Sequence, residues 1–152
     1  MMSKDSSKIY DPAILLPQWD GQVHKLPVRV YYEDTDAGGI VYHSVYVNYA
    51  ERGRTEILRA IGYNQSRLVE EEEILFAVRS MTVDFRRPAV LDDLLTVETR
   101  VKDIKGASFV MDQRVMREEE LLVGLEVKIA SISTEKRPIR TPKHILNAMQ
   151  GL

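Results

Sequence analysis

The sequence predicts an α+β domain in which one long helix covers a face of a mostly antiparallel sheet. Two observations carry this prediction: a single long helical pattern follows the first predicted strand, and four consecutive strand patterns follow the helix. That order of elements is typical of α+β domains. With 152 residues, 44% of them hydrophobic, the chain is long enough to bury the core of one domain without metals or disulfides.

The first strand and the helix are predicted from two different spacings of apolar residues. Residues 25–33 alternate moderately well and are rich in β-branched and aromatic side chains, which predicts a strand. After the turn-forming DTDAGG at 34–39, apolar or small residues recur every three or four positions, which predicts a helix; they are Tyr46, Ala50, Gly53, Ile57 and Ile61. Gly62 predicts its end. Glycine within a helix costs roughly 1 kcal/mol against alanine, so Gly53 predicts close contact between helix and sheet.

The second half of the chain consists of strand patterns separated by turns. The predicted strands span 75–87, 94–102, 108–116 and 121–133. The last segment contains two prolines and then a possible short helix. The acidic run at 70–73 predicts a solvated loop.

The N-terminal residues differ in composition from the rest of the chain. Residues 1–24 are polar, contain two prolines and lack sustained periodicity, so we predict an N-terminal extension there and a single domain over 25–152. No apolar run approaches the length of a signal-peptide core or a membrane span, which predicts a cytoplasmic protein that does not span a membrane.

Charge and cysteine content exclude several function classes. The net charge of −2 gives no reason to expect nucleic acid as a partner, because nucleic-acid modules usually carry a basic excess. With no cysteine there is no disulfide, no thiol nucleophile and no thiolate metal site.

Reactive side chains are concentrated in the segment YYEDTDAGGIVYHSVYVNY, residues 31–49. Asp34 and Asp36 are also common turn residues beside glycine, so a simple turn and a functional site both stay open. A calcium loop beginning at Asp34 would need glutamate at its twelfth position, where this chain has Val45. His43 with Asp36 makes only half a metal site, so we predict no metal and no cofactor.

The segment RVYYEDTDAGGIVYHSVYVNYAERGRTEILR (29–59) resembles the active-site signature of the 4-hydroxybenzoyl-CoA thioesterase family, and most of all its tol-pal-associated acyl-CoA thioesterase branch. The later segment 76–101 is similar to the second and third strands of that family. The likeness extends over roughly residues 27–135 and implies a hot-dog fold, in which a curled antiparallel sheet of about five strands wraps a long central helix.

The resemblance also implies an activity, hydrolysis of acyl-CoA thioesters. Asp36 stands at the position of the catalytic aspartate, as a nucleophile or a general base, with Tyr32 and His43 at the positions of its supporting tyrosine and histidine. The N–H groups near His43 and Ser44 open the helix and would bind the oxyanion. Gly38 and Gly39 would let the substrate approach the backbone.

Other residues receive weaker assignments. Asp34 is expected to brace the loop, and Glu51 on the helix is an alternative base. Arg86 and Arg87 would hold the phosphates of coenzyme A, or would only solubilise the ends of strands. We expect Tyr42, Tyr46 and Tyr49 to pack rather than react. The expected floor of the acyl pocket is bulky and consists of Tyr46, Tyr49, Ile57, Leu58, Phe76, Val78 and Met81.

Three functions stay open at this level. A thioesterase for short- to medium-chain or simple aryl acyl-CoA is favoured, because a mere binder needs no carboxylate at a thioester. A non-catalytic acyl-CoA-binding or envelope-associated scaffold and a hot-dog hydroxyacyl-thioester dehydratase are the alternatives. The resemblance further implies a homodimer or homotetramer, while envelope or acyl-carrier partners stay unproven.

Overall fold

A computed structural model describes residues 12–152, which form six strands and three α-helices. In chain order the elements are a 3-10 turn at Pro12–Leu15, β1 (Gln18–Asp20), β2 (Val23–Arg29), a 3-10 turn at Tyr32–Asp34, α1 (His43–Ala60), α2 (Gln65–Glu72), β3 (Ile74–Phe85), β4 (Leu94–Lys102), β5 (Ser108–Arg117), β6 (Glu120–Ser133) and α3 (Lys143–Gln150).

The six strands form one antiparallel sheet with the order β1-β2-β4-β5-β6-β3. Strand β3 precedes β4 in sequence but lies at the far edge of the sheet, beyond β6. The chain therefore crosses the sheet between β2 and β3, and α1 and α2 make that crossing. The predicted α+β class with an antiparallel sheet is confirmed. The sheet has six strands rather than about five, because the short β1 adds to β2.

Helix α1 packs its apolar face on the middle of the sheet. Tyr46, Tyr49, Ala50 and Ile57 of this face are buried. At Gly53 the helix backbone approaches β4 so closely that a Cβ atom would lie 2.7 Å from Val97 Cγ1. The predicted close contact at Gly53 is confirmed, and no larger residue fits there without movement of the helix.

The N-terminal part of the fold differs from the predicted boundaries. The strand predicted over 25–33 spans Val23–Arg29 instead, and β1 pairs with it. Beyond Arg29 the chain leaves the sheet for the turn at Tyr32–Asp34. Residues 18–20 and 23–24 of the predicted extension are thus strand, and residues 1–11 lie outside the described residues. A boundary between an extension and a domain stays a prediction.

The prediction of a loop over the acidic run at 70–73 is wrong, because the run lies at the end of α2. Asn64 caps this helix by accepting a 2.9 Å hydrogen bond from the N–H of Arg67. Glu73 ends it with a left-handed φ of 54°. Leu68 is its one buried residue, so the sequence carries too little apolar periodicity to predict a helix. All four acidic side chains are exposed, as expected.

His24 is a buried titratable group at the β1–β2 end of the sheet. It is 2% exposed, and the ring of Trp19 meets its ring edge-on at 5.0 Å. Its Nδ1 atom has no hydrogen-bond partner within residues 12–152. Burial lowers the pKa of His24, and the charge of Glu56 opposes this only in part.

We expect this arrangement to make the fold less stable in acid. In the unfolded chain His24 becomes protonated as the pH falls below 6.5, its ordinary pKa. In the folded chain the pKa is lower, so the ring stays neutral until the pH falls further. The contribution of neutral His24 to the free energy of unfolding is therefore fully present above pH 6.5. It is lost as the pH falls toward the lowered pKa of His24 in the folded state. Urea unfolding of the native chain at about pH 5 and about pH 7.5 measures this difference.

Carboxylates also titrate in this range, so the variant His24→Gln is the matched comparison. It should flatten the dependence of the free energy of unfolding on pH. Equal pH dependence in the native chain and in His24→Gln would contradict the assignment to His24.

Candidate active site

Asp34 ties the loop between β2 and α1 to the helix. Its Oδ2 atom accepts a 2.9 Å hydrogen bond from the N–H of Tyr31 and a 2.7 Å hydrogen bond from the hydroxyl of Tyr49. Its carbonyl oxygen accepts the N–H of Tyr42 at 3.0 Å. Burial raises the pKa of Tyr49, and the hydrogen bond to Asp34 raises it further, so the hydroxyl stays a donor. The expected bracing role of Asp34 is confirmed.

Asp36 lies in a tight turn at the tip of this loop. Its Oδ1 atom accepts the N–H of Gly38 at 2.8 Å, and its own N–H donates to Ile40 O at 2.9 Å. Gly39 has a φ of 80°, which favours glycine, and closes the turn by donating to Asp36 O at 3.0 Å. Within residues 12–152 the Oδ2 atom of Asp36 accepts no hydrogen bond. The side chain is exposed, with one carboxylate oxygen fixed and the other free.

Asp36 borders a pocket of about 370 Å³ between the loop, the start of α1 and the end of β3. The pocket brings together predicted site residues from distant parts of the sequence. Its lining consists of Asp36, Ile40, Val41, Tyr42, His43, Tyr46, Phe85, Arg86, Arg87 and Pro88.

His43 is the first residue of α1 and forms one wall of the pocket. Its ring lies 4.3 Å from that of Tyr42 and meets Phe85 edge-on at 6.3 Å. Tyr42, the N-cap residue, makes no side-chain capping hydrogen bond. The N–H groups of His43 and Ser44 therefore have no hydrogen-bond acceptor within the described part of the chain. These donors, at the positive end of the helix dipole, are available to an anion.

The two arginines at the pocket rim already have partners. Arg86 Nε lies 2.8 Å from Asp84 Oδ2, and Arg87 Nη1 lies 3.1 Å from Glu120 Oε2. Both guanidinium groups are more than half exposed, so these ion pairs are weak and leave further N–H donors available.

Five residues that the sequence assigned to the reaction are not among the described residues that line this pocket: Tyr32, Gly38, Gly39, Ser44 and Glu51. Tyr32 is 82% exposed and is not among the described residues that line it. Only its backbone holds the loop: Tyr32 O accepts hydrogen bonds from the N–H and the hydroxyl of Thr35 at 3.2 and 2.8 Å. Glu51 instead borders a separate cavity of about 150 Å³ beside Arg54.

The walls of the pocket differ from those expected. Of the predicted acyl-pocket residues only Tyr46 lines it, with its hydroxyl accepting the N–H of Ala89 at 2.8 Å. Tyr49 is fully buried and does not line the pocket. Phe76 and Val78 border the separate cavity beside Glu51. Phe85 was not predicted as a site residue, and Tyr42 was expected to pack rather than to form a pocket wall. The position of Tyr42 just before His43 was the one available signal.

Comparison with known proteins identifies relatives of this chain. The sequence profile of the thioesterase superfamily matches residues 38–123, beginning two positions after Asp36. The acyl-CoA thioesterase YbgC of Haemophilus influenzae is 46% identical over 127 residues, which are 83% of this chain and 93% of that protein. The acyl-CoA thioester hydrolase YbgC of Escherichia coli O157:H7 is 45% identical over 122 residues, 79% of this chain and 90% of the relative.

A solved structure shows the same fold. The probable thioesterase from Bartonella henselae superposes with a TM-score of 0.76 at 44% identity. The match covers 79% of this chain and 99% of the other. The expectation of a hot-dog fold is confirmed by this structural similarity.

Tyr49→Phe tests the tie between loop and helix. The change removes the hydrogen bond to Asp34, and we expect the free energy of unfolding to fall by about 1–3 kcal/mol, as for other buried hydrogen bonds to charged groups. Urea denaturation measures the loss.

Tyr42→Phe is the matched control for this substitution. Tyr42 is 48% exposed, and its hydroxyl makes no hydrogen bond within residues 12–152, so the change should stay within about 0.5 kcal/mol. A loss in Tyr49→Phe no larger than that of the control would show that the tie does not stabilise the fold.

Proposed function

This chain belongs to the thioesterase superfamily, and from that premise we propose that it hydrolyses acyl-CoA thioesters to a free acid and coenzyme A. The observation that carries the proposal is the pocket that joins the carboxylate of Asp36 to the uncapped N-terminus of α1. A carboxylate facing a set of anion-binding donors is what acyl transfer requires. The acyl-CoA thioesterase names of the relatives support the same reaction.

Asp36 supplies the group that starts the reaction. Gly38 donates a hydrogen bond to one of its oxygens, the other accepts none within residues 12–152, and the residue borders the pocket. In one route the free oxygen attacks the thioester carbon, the C–S bond breaks, and coenzyme A leaves as a thiolate that takes a proton from water. Water then cleaves the resulting anhydride. In the other route Asp36 removes a proton from water as the water oxygen bonds to the thioester carbon. The C–S bond then breaks, the coenzyme A thiolate takes that proton from Asp36, and no anhydride forms.

The N-terminus of α1 stabilises the negative charge that develops on the carbonyl oxygen. The N–H groups of His43 and Ser44 are available donors in the first turn, and the helix dipole adds positive potential there. The imidazole of His43 orients the water or the carboxylate. Gly38 and Gly39 keep the turn free of side chains where the thioester approaches Asp36.

Tyr32 supports Asp36 indirectly in this proposal. Its side chain is exposed, whereas its carbonyl oxygen anchors Thr35, the residue just before Asp36. The tyrosine therefore fixes the turn that presents the carboxylate, and it does not contact the reacting atoms.

The pocket favours short- to medium-chain or simple aryl acyl groups. About 370 Å³ bounded by Tyr42, Tyr46 and Phe85 leaves limited depth for an alkyl tail. Each buried methylene contributes only about 0.8 kcal/mol, so coenzyme A itself supplies much of the affinity. Arg86 and Arg87 at the rim donate charge-assisted hydrogen bonds to its phosphates.

Thiol release from a panel of acyl-CoA thioesters of increasing chain length tests the function and the role of Asp36 together. The native chain should turn over the shorter members, and Asp36→Asn should lower kcat by about 100-fold or more, because the amide keeps its hydrogen bonds but loses basicity. His43→Ala should slow the reaction less, since its backbone donor survives.

Glu51→Gln is the control for the carboxylate. It removes a charge from the same helix but outside the Asp36 pocket, and should leave kcat nearly unchanged. If Asp36→Asn keeps a near-normal kcat and Glu51→Gln loses most of it, Glu51 is the general base or nucleophile. If no acyl-CoA of the panel is hydrolysed, the proposed hydrolase function is refuted and acyl-CoA binding is the remaining alternative.

We further propose that the chain forms a homodimer through the free edge of β3, and that dimers can pair into a tetramer. Strand β3 is 12 residues long, and among residues 12–152 it pairs only with β6, so its other edge carries backbone groups without a strand partner there. Proteins usually cover an edge of that length, and a second copy can do so by antiparallel pairing. Val78 on this strand is 47% exposed, although it is apolar.

Light scattering at micromolar concentration should give the mass of a dimer or a tetramer. Val78→Lys should shift the equilibrium toward monomer, because a charge at the paired edge opposes association. Leu16→Lys, an equally drastic change at a residue that is 60% exposed and outside β3, should not. A monomeric mass of the native chain would refute the proposed dimer.

Cellular context is less constrained. No helix within residues 12–152 is long and apolar enough to cross a membrane. A cytoplasmic location, acyl-carrier or envelope partners and a link to tol-pal proteins stay predictions from the sequence.

A further inference from the structure

A second pocket, here named the C-terminal groove, lies at the start of α3. It has a volume of about 580 Å³ and shares no lining residue with the Asp36 pocket. Its lining consists of Arg140, Thr141, Pro142, Lys143, Leu146, Asn147 and Gln150.

The chemistry of the C-terminal groove is that of an anion site. Two cationic side chains, Arg140 and Lys143, and the carboxamides of Asn147 and Gln150 supply N–H donors. Among residues 12–152, no carboxylate side chain lines the groove. Four other pockets in the described part of the chain each contain at least one, among them Asp36, Asp112, Glu56 and Glu51.

Further positive charge surrounds the groove. Lys136 and Arg137 precede it in sequence, and Lys105 stands next to Gly106, whose carbonyl oxygen accepts the N–H of Thr141 at 2.8 Å. All these cations are exposed, and none forms an ion pair with a carboxylate within residues 12–152. The acidic residues in the same segments are Asp103 and Glu135, and neither lines the groove. Positive charge thus collects here in a chain of net charge −2.

The backbone that carries Arg140 is anchored beside the groove. The next residue, Thr141, is 2% exposed, and its hydroxyl lies 2.5 Å from that of Ser131. The Arg140 guanidinium packs beside Gly106, where a Cβ atom would be 2.8 Å from Nη1. The side chain itself is exposed and available to a ligand.

We propose that the C-terminal groove binds a phosphate group. The planar guanidinium of Arg140 donates two parallel hydrogen bonds to phosphate oxygens, Lys143 adds a point charge, and the carboxamides complete the shell. The phosphate belongs to a phospholipid headgroup, to coenzyme A or to a free phosphorylated molecule, since all three present the same oxygens. The site does not depend on the proposed hydrolase activity.

The test compares the full-length chain with two double variants of equal charge. Arg140→Gln/Lys143→Gln alters the groove, and Arg100→Gln/Arg114→Gln removes two cations from the face of the sheet. Binding is measured by calorimetry with inorganic phosphate and by cosedimentation with phosphatidylcholine vesicles, with and without phosphatidylglycerol. The groove variant should bind about tenfold or more weakly, and the sheet variant should bind as the native chain does. Gly106→Ala, which displaces Arg140 without changing charge, should also weaken binding.

The outcomes distinguish the sources of the phosphate. Binding of inorganic phosphate identifies a free phosphorylated ligand, and binding only to vesicles with phosphatidylglycerol identifies a lipid headgroup. A raised KM for acyl-CoA with unchanged kcat in the groove variant assigns the phosphate to coenzyme A. Equal losses in both double variants, or no binding and an unchanged KM, would overturn the proposal. Normal acyl-CoA turnover by the native chain with no phosphate binding, no vesicle binding and an unchanged KM in the groove variant would refute this site and leave the proposed hydrolase activity standing.

Discussion

The structure depends on the contact between α1 and β4 at Gly53. A side chain there would overlap Val97 and Thr99, so the helix backbone lies directly on the sheet. Beside this contact, Gln113 donates to Ala50 O at 2.8 Å and to Thr99 Oγ1 at 2.9 Å, and accepts from Arg54 Nη1 at 3.0 Å. Apolar packing alone would let the helix slide along the sheet, whereas directional hydrogen bonds fix its position.

With α1 fixed on the sheet, its N-terminus becomes a stable platform for the site. Tyr46 and Tyr49 extend from the first two turns and form hydrogen bonds with the N–H of Ala89 and the carboxylate of Asp34. The loop with Asp36 is therefore positioned by the helix that also supplies the donors at His43. The carboxylate and the donors share one rigid support, which is the condition for electrostatic preorganisation.

Much of the fold was accessible from the sequence. The long helix and four of the strands follow from apolar periods that are long enough to be distinctive. The C-terminal helix was expected only as a possible short helix after two prolines, and the structure contains it at Lys143–Gln150. Helix α2 and strand β1 were not predicted, because an eight-residue helix with one buried side chain and a three-residue strand show almost no periodicity of apolar residues. Their placement depends on contacts made elsewhere: β1 on pairing with β2, and α2 on the burial of Leu68.

By itself the sequence determined the family signature, the reactive loop and the helix that follows it, because these lie within one contiguous segment whose chemistry is local. Only the tertiary structure decided which residues meet Asp36. It brought Phe85 and Arg86 from the end of β3 to the loop, and left Tyr32 in solvent and Glu51 at another cavity. A pocket is formed where separate elements pack, and the crossing of α1 over the sheet, which sets those distances, is fixed by packing at Gly53 rather than by any local pattern.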